Sequence, residues 1–193
     1  MQVDVFPVGD YQTNCYMVSG PEDTCVLIDP GYEPEYLLQQ AHKRGKTVAA
    51  ILLTHGHFDH VGGVKTIAAE TDCDVYICRE ELSLPPMLTA GPLYYTHTYE
   101  DTVTAAGLTF RVMQTPGHTP GSVCLLCEDT MFSGDTLFAG SMGRTDFPGG
   151  SYDTIMESLA KLSKLEGDYR VLPGHAEETT LSRERRTNPF MQI

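Results

Sequence analysis

The 193-residue sequence has no run of 18 consecutive apolar residues, which excludes an ordinary membrane-spanning helix. Its opening, MQVDVFPVGDYQTNC, lacks both the basic and the apolar stretch of a secretory leader. Positive charge is scarce: 13 Lys and Arg stand against 26 Asp and Glu, a net −13. Nucleic acid and anionic membrane surfaces demand clustered cations, so neither is expected as a partner. The one basic run, Arg183, Arg185 and Arg186 with Glu184 inside it, reads as a solvated helix face. Low-complexity tracts, linker-like Gly/Ser stretches and strong internal repeats are missing too.

What is present is ordinary for a globular protein. At about 150 residues per domain the length predicts one domain, residues 1–193. Apolar residues make up 41% and charged ones 20%, which supports a single sizeable core. Six cysteines are scattered in a chain too long to need disulfide staples, and with no leader a reducing cytoplasm is the expected compartment. Cys124 and Cys127 form a C-x-x-C, but SVCLLCED reads as a buried strand. Side chains alternate along a strand, so these two thiols point to opposite faces and are structural.

Strands are predicted at 3–8, 14–18, 25–28, 48–53, 75–78, 103–105, 108–113, 122–126, 130–132 and 169–172. Helices are predicted at 35–43, 60–70, 152–162 and 178–185, with residues 79–101 irregular. The run VAAILL suits a strand covered on both faces. Two packed sheets with helices outside accommodate this order.

Five of the seven histidines sit in turns directly after apolar strands; His42, on a helix, and His97, in the irregular stretch, read as incidental. The densest constellation is His55-Gly56-His57-Phe58-Asp59-His60, following VAAILL. On an extended segment residues i and i+2 face the same way, so His55 and His57 converge on one cation. Asp59 and His60 fall on the turn into a helix, aimed at a second position. With 7 His and 13 Asp in the chain, chance expects H-x-H-x-D-H in roughly 6 of 10,000 such sequences. Three further strand ends add His118 (TPGHTPG), Asp135 (SGDT) and His175 (LPGH). The count then closes. His55, His57 and His118 supply one metal; Asp59, His60 and His175 supply a second; Asp135 bridges both. Mixed imidazole and carboxylate ligands suit zinc, iron or manganese, and the absence of cysteine argues against a closed structural zinc site.

THGHFDH, TPGHTPGS, SGDTLFAGSMGRTDFPGGS and LPGHAEETTLSRERRTNPF resemble the metallo-β-lactamase-fold hydrolases, and within them the small glyoxalase II-like (hydroxyacylglutathione hydrolase-like) branch. The resemblance runs over essentially the whole chain. It implies an α/β fold, an αββα four-layer sandwich of two mixed sheets flanked by helices, with the site at one edge. It also implies two divalent cations, zinc first and iron or manganese as alternatives. Typical glyoxalase II enzymes carry a further C-terminal helical region that helps bind glutathione. Only 18 residues follow His175, so that region is expected to be missing and the carrier thiol is left open. Arg144 matches a basic position near the substrate's peptide part. It either contacts a substrate anion or pairs with Asp146.

A water shared by two cations has a pKa of about 7 and supplies hydroxide at neutral pH. The expected reaction is hydrolysis of a small-molecule thioester, with the carbonyl oxygen polarised by a metal. Asp59 orients the hydroxide or takes its proton. A thiolate with a pKa of about 8.5 leaves without much help. Asp29, in LIDPG, is either an acceptor behind a metal-bound imidazole or a turn former. Residues 82–99 either wall the pocket or form a dimer contact, the chain being expected as a monomer or homodimer. GRTDF (143–147) also resembles the persulfide dioxygenases of the same fold, which use one iron at the three-ligand site. A lactonase and a non-catalytic metal-binding module are the remaining alternatives. The net charge disfavours a nuclease.

Overall fold

The alternating apolar residues near the N-terminus build three neighbouring strands. In the computed structural model, which describes residues 1–192, these are β1 (Gln2–Val8), β2 (Thr13–Ser19) and β3 (Thr24–Ile28), paired antiparallel. After α1 (Pro34–Lys43), β4 (Thr47–Leu52) joins β3 in parallel. Next come α2 (Phe58–Val61), α3 (Val64–Thr71) and β5 (Asp74–Ile77), which lies parallel to β4. A 3-10 turn at Arg79–Ser83 and α4 (Pro86–Thr89) lead to β6 (His97–Thr98), the far edge of a six-stranded sheet ordered β1 to β6.

The second sheet begins with β7 (Thr102–Ala105), β8 (Leu108–Gln114), β9 (Val123–Cys127) and β10 (Thr130–Gly134), all antiparallel neighbours. A hairpin of β11 (Leu137–Phe138) and β12 (Ser141–Met142), then α5 (Tyr152–Ser163), separate it from β13 (Arg170–Pro173). β13 runs parallel to β10, β14 (Thr179–Thr180) forms the edge, and α6 (Leu181–Thr187) ends the fold.

Period-2 alternation divides the core into three apolar layers. Leu37 and Ala41 of α1 and Ile67 of α3 pack on Met17, Leu27 and Ile51, the outer face of the first sheet. Val18, Ile28 and Leu52 meet Phe110, Leu125 and Phe132 between the sheets. Leu126, Met131 and Val171 meet Leu159 and Leu162 of α5 and Leu181 of α6 on the far side. This is the αββα sandwich. VAAILL is covered on both faces, and Cys124 and Cys127 fall in different layers, both as free thiols. No helix among the described residues is long and apolar enough to cross a membrane.

The structure differs from the expected elements at several places. The stretch 79–101, expected to be irregular, carries the Arg79–Ser83 turn, α4 and β6, the last held by pairing with β5. The helix expected at 60–70 is two, broken at Gly62-Gly63, where the Gly63 N–H donates to the Pro30 carbonyl at 2.9 Å instead of continuing the helical ladder. The last helix begins at Leu181, because Thr179 and Thr180 pair with β13 and the Thr180 hydroxyl caps the Arg183 N–H at 3.2 Å. The hairpin of β11 and β12 carries too few residues to show a period. Arg185 is not simply solvated: its guanidinium donates to the carbonyls of Leu165 and Gly167.

Phe110 is fully buried between the sheets, on a strand that carries no site residue. Phe110→Ala is expected to lower unfolding free energy by about 3–5 kcal/mol, read from urea melts. An unchanged midpoint would contradict the core assignment.

Candidate metal centre

Each site residue leaves the end of a strand. His55 and His57 follow β4, and Asp59 and His60 sit on α2 just beyond. His118 lies on the β8–β9 connection, Asp135 directly after β10 and His175 shortly after β13. Rigid strands thereby deliver loop residues to one edge of the sandwich. His55, His57, Asp59, His60 and His118 are buried; Asp135 and His175 are half-buried. Two glycines allow the strand ends this close. Gly134 has φ +48°, and a Cβ there would lie 2.4 Å from Thr54 Oγ1. A Cβ on Gly174 would lie 2.2 Å from Asp135 Oδ1.

The structure brings all seven predicted side chains together in two groups. Ligand atoms of His55, His57 and His118 lie within 4.8 Å of one another, and so do those of Asp59, His60 and His175. Asp135 touches both groups: Oδ1 is 3.5 Å from His60 Nε2, while Oδ2 is 3.6 Å from His118 Nε2 and 3.5 Å from His175 Nε2. His57 Nδ1 stands 2.9 Å from His118 Nε2. His175 Nε2 lies 3.2 Å from Asp59 Oδ2 and 3.4 Å from His60 Nε2.

The outer nitrogens of three rings are committed, which aims the inner ones. His60 Nδ1–H donates to Asp29 Oδ2 at 2.9 Å, and Asp29 also accepts from the Thr54 N–H at 2.8 Å and hydroxyl at 2.6 Å. His118 Nδ1–H donates to the Arg144 carbonyl at 2.8 Å, and His175 Nδ1–H to the Tyr11 carbonyl at 3.2 Å. Such partners fix ring orientation. Asp29 is thus the acceptor behind an imidazole, and it turns the chain as well, at φ +52°. His55 Nε2 and Asp135 Oδ1 are buried without any hydrogen-bond partner. Unpaired buried acceptors facing a cluster of imidazoles fit a divalent cation, and the donor set is one that zinc, iron or manganese accepts.

Electrostatics separates the two groups. Burial, reinforced by neighbouring imidazoles, holds His55 well below its ordinary range, brings His57 down to about 4 and lowers His118. These three rings are neutral at pH 7. Burial also opposes charge on His60, but the Asp135 and Asp29 carboxylates outweigh it and raise the ring to about 9. Burial likewise opposes charge on His175, and its hydrogen bond to Asp59 outweighs this and raises the ring. Burial disfavours the Asp59 carboxylate, and the hydrogen bond from His175 with the charge of His60 reverses this, holding it well below the usual range.

Arg144 is exposed, paired bidentately with Asp146 at 2.7 Å through both bonds, and its guanidinium lies 3.8 Å over the Phe147 ring. Of its two predicted roles this is the one the geometry displays. It sits at the rim of a cleft of about 410 Å³ that opens onto His57, Asp59, His118, Asp135 and His175, with Tyr11, Phe58, Leu88, Phe138 and Phe147 as apolar walls. Leu88 brings the 82–99 segment into that wall. His42 and His97 lie apart from the site; His97 stacks on Tyr76 at 4.9 Å. Motif reading does not find Thr13, whose hydroxyl donates to Asp59 Oδ2 at 3.2 Å, or the wall residues, because their only signal is position in the fold.

The protonation pattern predicts unequal pH dependence of cation binding. The His55/His57/His118 group should bind with little change above about pH 7, because burial lowers all three rings from the ordinary histidine value. The Asp59/His60/His175 group must release protons, so its affinity should rise as pH climbs toward about 9. A zinc titration resolved into two phases between about pH 6 and 9 measures this; equal pH slopes for both phases would contradict it.

The sequence profile described as the metallo-beta-lactamase superfamily matches residues 8–175. A hydroxyacylglutathione hydrolase, GloC, of Haemophilus influenzae is 32% identical, over 99% of this chain and 98% of its own. Among solved structures, the BLEG-1 B3 metallo-beta-lactamase superposes with a TM-score of 0.89 at 35% identity over 100% of both chains. TTHA1623 in a di-iron-bound form superposes with 0.84 at 39% identity, over 97% of this chain and 100% of its own. With this coverage, the four-layer sandwich and the His/Asp clusters at its edge, the chain belongs to the metallo-beta-lactamase superfamily.

Proposed function

We propose that residues 1–193 act as one catalytic unit, a metal-dependent thioester hydrolase of the glyoxalase II type, acting on S-lactoylglutathione or a related acyl thioester. One observation carries the reading: two complete His/Asp groups share Asp135 at the floor of an apolar cleft. His55, His57 and His118 would hold one cation and Asp59, His60 and His175 a second, with Asp135 contacting both. Two divalent ions there, zinc first and iron or manganese as alternatives, would supply Lewis acidity and bring a water's pKa to about 7.

The chain's own groups do the rest. Asp59 is ionised and held by Thr13 and His175, so its carboxylate is placed to accept a hydrogen bond from the attacking water and orient it. Tyr11, Phe58, Leu88, Phe138 and Phe147 bind the acyl group and keep bulk water out. Arg144 reaches an anionic part of the carrier only by opening its pair with Asp146, a modest cost for an exposed pair. No side chain need protonate the leaving thiolate, whose pKa is about 8.5. The GloC similarity supports this substrate class.

His55→Ala or Asp135→Ala is expected to lower S-lactoylglutathione hydrolysis by about 1,000-fold or more, since each removes part of several kcal/mol of charge stabilisation. Elemental analysis should show bound metal falling in step. Full activity in metal-stripped protein would contradict the proposal.

A one-iron persulfide dioxygenase is the second reading, supported by the resemblance of residues 143–147; the di-iron-bound TTHA1623 supports iron as the metal but holds two ions. It draws on His55, His57 and His118 alone. His60→Ala separates the two: thioester hydrolysis is lost under the first reading, while oxygen uptake with a persulfide survives under the second. Lactones and a β-lactam belong in the same assay panel, and turnover of those alone would displace both.

A further inference from the structure

A fully buried glutamate with no part in the chemistry above stands behind the site. Glu81 lies on the turn Arg79–Ser83. Its Oε2 accepts the Gly56 N–H at 2.5 Å, and its Oε1 accepts the Gly121 N–H at 2.7 Å. Gly56 is the residue between His55 and His57. Gly121 belongs to the turn that carries His118, closed by the Thr115 N–H on the Ser122 carbonyl at 2.8 Å. The fit has no slack: a Cβ on Gly121 would lie 2.9 Å from Glu81 Cγ, and one on Gly56 would lie 3.0 Å from Oε2.

One carboxylate therefore ties together the two loops that present all three imidazoles of a single group. The other group is braced elsewhere, Asp59 by Thr13, His60 by Asp29 and His175 by the Tyr11 carbonyl. The chemistry of the clamp is specific. A carboxylate offers an acceptor on each oxygen, whereas an amide of the same shape offers one acceptor and one donor. Glutamine at 81 would pair one loop and turn its NH2 against the N–H of the other.

We propose that Glu81 is a positioning residue whose bridge from the Gly56 amide to the Gly121 amide sets the spacing of His55 and His57 against His118, and with it cation binding at that group alone. This rests on the reading that those imidazoles hold a cation, and the experiment separates the two claims.

The full-length protein is stripped of metal and titrated with Zn²⁺ and, separately, with Co²⁺, following Co²⁺ d–d absorption. Wild type should take up two ions in two phases. In Glu81→Gln the phase belonging to His55, His57 and His118 should weaken by about 10- to 100-fold, with a changed Co²⁺ band for that site. The Asp59/His60/His175 phase and the far-UV circular dichroism of the metal-free protein should not move. Gly56→Ala crowds the same carboxylate and should give a smaller loss of the same selectivity; it decides the matter if Glu81→Gln does not fold. Equal weakening of both phases, or of neither, overturns the positioning role. Absence of any divalent-ion binding in wild type overturns the underlying reading instead.

Discussion

Five imidazoles and two carboxylates packed against one another, most of them out of contact with water, are the constraint around which this structure is organised. Left alone, such a cluster is costly: each buried polar group without a partner costs about 1–3 kcal/mol, and His55 Nε2 and Asp135 Oδ1 have none. The protein handles the two halves differently. Burial and mutual proximity keep His55, His57 and His118 neutral, so that half is ready for a cation. Carboxylates favour the protonated forms of His60 and His175, so that half is internally compensated until a cation displaces the protons. Asp135 belongs to both halves and couples them electrostatically.

The sandwich makes this crowding possible. Seven side chains from widely separated parts of the sequence meet because β4, β8, β10 and β13 end at the same edge, and the three apolar layers leave those ends little freedom. Backbone geometry then does the fine placement. Gly134 and Gly174 admit an approach that any Cβ would block, and Asp29 accepts a left-handed conformation while holding both Thr54 and His60. Buried carboxylates recur as joints between loops, Asp29 on one side and Glu81 on the other.

Much of this architecture is written in the amino-acid pattern. The strand pattern, the double-sided burial of VAAILL and the split of Cys124 from Cys127 follow from period-2 alternation. The site is legible because its chemistry is concentrated in His and Asp at short spacings within Gly- and Pro-rich turns, where apolar packing gives no reason for them. Glu81 is illegible for the opposite reason. An acid among Arg79, Glu80 and Ser83 looks like part of any solvated turn, and only the fold carries it beneath two loops 25 and 40 residues away in sequence. The break at Gly62-Gly63 and the late start of α6 depend likewise on partners distant in the chain, Pro30 and β13. Arg144 is legible both as a cation near the site and as a partner for Asp146, and the structure displays the pair.

Anomalous diffraction from crystals of the metal-loaded protein, recorded across the absorption edge of the bound metal, tests the central claim most directly. The account predicts two peaks, one enclosed by His55, His57, His118 and Asp135, the other by Asp59, His60, His175 and Asp135. A single peak seated on Asp29, or no peak among these side chains at all, would contradict it.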